Sequence, residues 1–95
     1  MRNNKNSRMR KINKLLEIPE EIYMNTPKIT LIGFNKIVIE NYKNILEYQD
    51  IFIRVNTSIG IINISGLDLK MEEMTIDDIA IIGRIDSIDF EEIEE

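Results

Sequence analysis

Ninety-five residues, 43% of them hydrophobic, make one domain, close to the smallest size at which an apolar core holds itself together without cross-links. With no Cys and no His, the chain has no disulfide framework, no thiolate nucleophile, and neither the commonest general base nor the commonest metal ligand. The net charge of −5 is unevenly spread: residues 1–16 hold Arg2, Lys5, Arg8, Arg10, Lys11 and Lys14 and no acid, whereas the rest holds 6 basic and 17 acidic side chains, so that a basic arm precedes an acidic body.

Ser7 is placed to cap a short helix in which Met9, Ile12, Leu15 and Leu16 form one apolar stripe against a basic face. Pro19 ends it, because the residue before a proline is pushed out of the α region. Pro19-Glu20-Glu21 can itself start a further turn or two towards Met24. Asn25-Thr26-Pro27 then breaks the chain. From Lys28 the period becomes two: Ile29 and Leu31 share one face, Thr30 and Ile32 the other, and Gly33 permits a tight hairpin connection to Ile37-Val38-Ile39. Glu40 to Asn44 reads as a polar turn in which Asn41 or Asn44 supplies a left-handed backbone. Ile45–Tyr48 and Ile51–Val55 are the next two strands, with Gln49-Asp50 between them.

After the turn at Asn56-Thr57-Ser58, the apolar phase changes between Ile59/Ile61 and Ile62/Ile64, which predicts a bulge or bend near Ile61. Gly66 punctuates the chain. Leu67, Leu69 and Met71 then alternate with Asp68, Lys70 and Glu72 as a half-exposed strand. An acidic connection follows from Glu73 to Asp78, and Ile79, Ile81 and Ile85 begin a last strand pair around Gly83. A second phase slip predicts a bulge or corner near Asp86-Ser87, ahead of Ile88 and Phe90. The expected fold is mainly β: short antiparallel strands forming a roll or small sandwich, with a short N-terminal helix. The recurrence of Ile62-Asn63-Ile64-Ser65-Gly66 and Ile79-Ala80-Ile81-Ile82-Gly83 leaves a stacked β repeat as the alternative. The chain divides into an arm or helix (1–16), one β-rich domain (17–90) and an acidic tail (91–95).

No catalytic residue, cofactor or metal site is assigned. The acid pairs Glu72-Glu73, Asp77-Asp78 and Asp86-x-x-Asp89 lack the EF-hand spacing and read as solvated surface; a ligand- or metal-binding module on the acidic loop 72–78 is the competing function. Ser7, Ser58, Ser65 and Ser87 have no His to activate them. No apolar run approaches the roughly 18 residues of a spanning helix, and no secretory h-region is present, so a cytoplasmic location is expected. The arm is expected either to pack its stripe on its own domain or to contact an anionic membrane or a protein partner. An acidic body repels a duplex, so nucleic acid is not an expected partner.

Pro19, Pro27-Lys28-Ile29-Thr30-Leu31-Ile32-Gly33, Ile39-Glu40-Asn41-Tyr42-Lys43, Ile45-Leu46-Glu47-Tyr48, Gly60, Ile64-x-Gly66, Leu69 and Ile81-x-Gly83-x-Ile85 together resemble the YabP/YqfC family of sporulation proteins, most closely its YqfC branch. The likeness runs from about Leu16 to Phe90. The family usually shows His and Gly where this chain has Tyr42 and Asn44, which argues against a His-dependent role at that turn. The resemblance implies a non-enzymatic assembly or adaptor protein of the mother cell in an endospore former, needed for spore envelope or coat formation. It also implies a protein partner, such as a sporulation membrane protein, and a location in the cytoplasm or peripheral to the forespore membrane. Self-association through edge strands is a further expectation. The expected interaction surface is Arg8, Arg10, Lys11 and Lys14 on the arm, with Glu40, Asn41, Tyr42 and Lys43 at the turn.

Overall fold

The structure, a computed structural model, describes residues 25–93. Six strands follow one another: β1 (Lys28–Ile32), β2 (Lys36–Glu40), β3 (Tyr42–Tyr48), β4 (Phe52–Thr57), β5 (Gly60–Glu73) and β6 (Asp78–Glu92). They form one antiparallel sheet in the order β1-β2-β6-β5-β4-β3. Ile, stiff at χ1 and suited to a pleated surface, supplies most of the interior: Ile37, Ile39, Ile53, Ile64, Ile79 and Ile81 are fully buried beside Val55, Ile62 and Leu69.

The long β5–β6 hairpin makes this sheet a roll. β2 pairs with the first part of β6, Asp78–Ile82, whereas β4 pairs with the first part of β5, Ile61–Ser65. The flanking hairpins therefore attach to opposite ends of the long ribbon. Between those ends the ribbon bends at two compensating irregularities. Ser65 faces Ser87 while Gly66 faces Ile85, which leaves Asp86 as an extra residue on β6; Leu67 faces Arg84 while Lys70 faces Ile82, which leaves an extra residue on β5. Asp68 takes φ 53° there and Gly83 takes φ 145°. The register slips by one residue and returns, so one apolar face stays inward on both sides of the bend. At Gly66 the strands come so close that a Cβ would overlap the Arg84 carbonyl oxygen.

The tips of the two outer hairpins meet this bend. The Gly83 and Ile85 amides donate to the Asn35 and Phe34 carbonyls, and the Gly66 and Leu69 amides donate to the Ile51 and Asp50 carbonyls. One seam between the layers is closed along its length: the Tyr42 amide donates to the Asp77 carbonyl at 3.1 Å, and the Met71 amide donates to the Tyr48 hydroxyl at 3.0 Å.

Several sequence expectations need correcting. The expected N-terminal helix falls on residues outside those described, and among the described residues there is no helix. The bulge or bend expected near Ile61 is absent: Ile61–Ser65 pair regularly with β4 while Ile62 and Ile64 face the core, and Ile59 precedes the strand in the turn. The bulge expected near Asp86 is present. Gly66 bends a continuous β5 instead of separating two strands, and residues 78–92 form one strand, not a pair. The two segments read as repeat candidates lie on antiparallel neighbours of one sheet, which is not a stacked repeat. Glu91 and Glu92, placed in the acidic tail, pair with Ile61 and Gly60.

Candidate interaction surface

At the end of β2 the chain must leave one layer and begin the other, and it does so in a single residue. Asn41 takes φ 63°, the left-handed region that Asn tolerates better than other residues with a side chain. Its amide donates to Asp78 Oδ1 at 3.2 Å, and its side-chain Nδ2 donates to the Thr26 carbonyl at 3.1 Å. Asn41 thus ties the segment before β1 and the start of β6 to the β2–β3 corner. Asn44, the other candidate for a left-handed turn, is instead extended within β3, and its Oδ1 accepts from Asn56 Nδ2 at 3.0 Å.

A polar recess of about 310 Å³ opens beside this corner, lined by Asn25, Asn41, Tyr42, Lys43, Ser58 and Asp77. The structure therefore gathers three of the four turn residues expected from the sequence. Tyr42 packs its ring partly against the core while Lys43 is exposed. Glu40 is not in the recess; it lies 4.0 Å from Lys28 Nζ on the exposed face of the β1–β2 hairpin. Arg8, Arg10, Lys11 and Lys14 lie outside the described residues. Asn25, Ser58 and Asp77 join the recess only through folding: Ser58 Oγ donates to the Asn25 carbonyl at 2.6 Å across a separation of 33 residues. No local pattern marks such a pairing.

The recess can present hydrogen-bond donors and acceptors to a polar partner. The acidic loop beside it is already engaged. The Thr75 hydroxyl lies 2.8 Å from Asp78 Oδ2 and 3.1 Å from Asp77 Oδ1, and the Met74 and Thr75 amides both donate to the Asp78 carbonyl. Among the described residues, no three acidic side chains gather in a geometry that would hold a metal ion. On the opposite layer, Arg54 Nη2 meets Glu91 Oε2 at 2.9 Å, and Asn63 Nδ2 donates to the same oxygen. Hydrogen bonds from Arg54 and then Asn63 hold the Glu91 carboxyl below its ordinary range.

Fold and surface together define a small all-β protein whose strands roll around an isoleucine core and whose distinctive sequence residues serve its corners. The chain belongs to the YabP family, whose model matches residues 24–95. It is 30% identical over 81 residues to a Bacillus subtilis (strain 168) protein described as uncharacterized protein YqfC, an alignment covering 85% of this chain and 87% of that protein. No solved structure matches it.

Proposed function

We propose that this protein is a non-enzymatic assembly or adaptor factor of sporulation, acting in the mother cell on formation of the spore envelope or coat. Membership of the YabP family supports this reading. The observation that carries it is the architecture: β1 and β3 end the strand order, and β1, unlike β3, is not tied down by the Tyr42–Asp77 and Tyr48–Met71 hydrogen bonds, so it offers a line of backbone donors and acceptors not used by the other strands of the sheet. Edge strands of this kind accept an added strand from a partner or from a second copy. The recess at Asn41, Tyr42 and Lys43 adds polar contacts beside one end of β3.

The partner in this reading is a protein, with a membrane protein of the same developmental programme as the leading candidate. A helix long and apolar enough to cross a membrane is absent among the described residues. Crosslinked pull-down from sporulating cells, combined with deletion of the gene, tests the proposal. The expected result is capture of a coat or envelope component together with defective spores. Normal engulfment, coat and spore yield in the deletion strain would end it.

A further inference from the structure

One seam of the roll is closed by the Tyr42–Asp77 and Tyr48–Met71 hydrogen bonds, but the other, between β1 and the C-terminal part of β6, is open among the described residues. Phe90 is the cross-strand partner of the buried Ile62, so its ring is on the core-facing side, yet it is 65% exposed. Leu31 shows the same mismatch: it faces the fully buried Ile37 across the β1–β2 pair and is 49% exposed. A groove of about 290 Å³ runs along the seam, lined by Pro27, Ile29, Ile59, Ile61, Phe90 and the acidic Glu91 and Glu92 among others. Among the described residues its lining contains no basic side chain.

We propose that this groove is the docking site for the protein's own N-terminal arm, with Met9, Ile12, Leu15 and Leu16 seated in the seam and the arm's basic residues over the acidic rim. Three observations favour this occupant. First, the first described residues start at the seam itself: Asn25 is anchored by Ser58 and Thr26 by Asn41, and Pro27 already lines the groove. Second, the chain from Leu16 to Asn25 reaches about 30 Å when extended, comparable to the 31 Å intermediate dimension of the molecule, so the stripe can reach the groove. Third, the charges are complementary: six basic residues and no acid through residue 16 oppose Glu92 at the groove and Glu94 and Glu95, which follow it in sequence, whereas Glu91 is already engaged by Arg54.

The absence of Trp from the chain makes a direct test simple. Phe90→Trp in the full-length protein places the sole indole at the groove, where the exposure of the native side chain lets the fold accept it. Acrylamide quenching of that indole is expected to be weak. It should rise at least about threefold when Leu15→Asp and Leu16→Asp are added in the same chain, because the docked segment no longer covers the aromatic ring. High salt should raise it as well, by screening the arm from Glu92 and the acidic residues that follow it. Ile59→Trp, at a second exposed position of the groove, repeats the measurement should the position-90 variant not fold. Strong quenching that is indifferent to the arm substitutions would overturn the assignment. Protection that grows with protein concentration would overturn it in favour of a second copy, and protection seen only with anionic vesicles would do so in favour of lipid.

Discussion

At Asn41 the chain leaves one layer for the other in a single residue, whereas at Gly66–Lys70 and Gly83–Asp86 two paired strands make the same passage together. The first corner is held by side-chain chemistry: a left-handed Asn, an amide on Asp78 and a carboxamide on Thr26. The second is held by shape. It needs an extra residue on each strand and a position where no side chain fits between two backbones. A corner made by hydrogen bonds yields in steps when its groups are trimmed, but one made by backbone contact has no partial version.

Substitutions ranked by their expected effect sharpen that contrast. Gly66→Ala should be the most damaging, at about 3 kcal/mol, because the new methyl meets a carbonyl oxygen that can retreat only by opening the ribbon. A large fall in the urea midpoint is the measure, and a near-normal midpoint would show that the bend adapts. Asn41→Ala should cost about 2 kcal/mol, the sum of a left-handed backbone without Asn and the lost bond to Thr26. Asn41→Gly keeps the backbone and loses only the side-chain bond, so about 1 kcal/mol is expected. Equal losses in the two variants would mean that backbone conformation contributes nothing at this corner. Gly33→Ala provides the reference for conformation alone: its φ is 57° but a Cβ there meets nothing within 4 Å, so its loss should also be about 1 kcal/mol.

The smallest effect lies away from both corners. Because Arg54 and Asn63 lower the folded-state pKa of Glu91, their contribution is fully present above the ordinary glutamate value. It fades as pH falls through the lowered folded-state value. Glu91→Gln should therefore reduce stability slightly at neutral pH and flatten the acid limb of a stability–pH curve, leaving the core transition intact.

The two corners also differ in how far they could be read before folding. Ile39-Glu40-Asn41 announces itself as the end of a strand followed by a residue able to take positive φ, and the structure uses Asn41 in that way. The bulge at Asp86 was visible as a phase slip between Ile85 and Ile88. Its counterpart near Asp68 was not, because Leu67, Leu69 and Met71 keep an unbroken alternation even though Leu67 is exposed and Leu69 buried. The slip near Ile61 misled in the other direction: Ile59 belongs to a turn, and Ile61 lies on the outer face of a regular strand. A side chain's phase records which face it would take on an ideal strand, and bends reassign faces without changing a letter.

Composition, Ile-rich alternation and the Asn and Gly punctuation were enough to determine a mainly β, antiparallel fold of short strands in a chain without Cys or His, because these follow from side-chain shape and local backbone preference. Only the tertiary structure decided that β2 and β3 are not neighbours and that Ser58 and Asp77 stand beside Asn41. It also decided that one seam is sealed while the other leaves Phe90 in the open. Those facts depend on pairings between residues dozens of positions apart, which are fixed by the closure of the whole sheet and leave no mark in any short window of sequence.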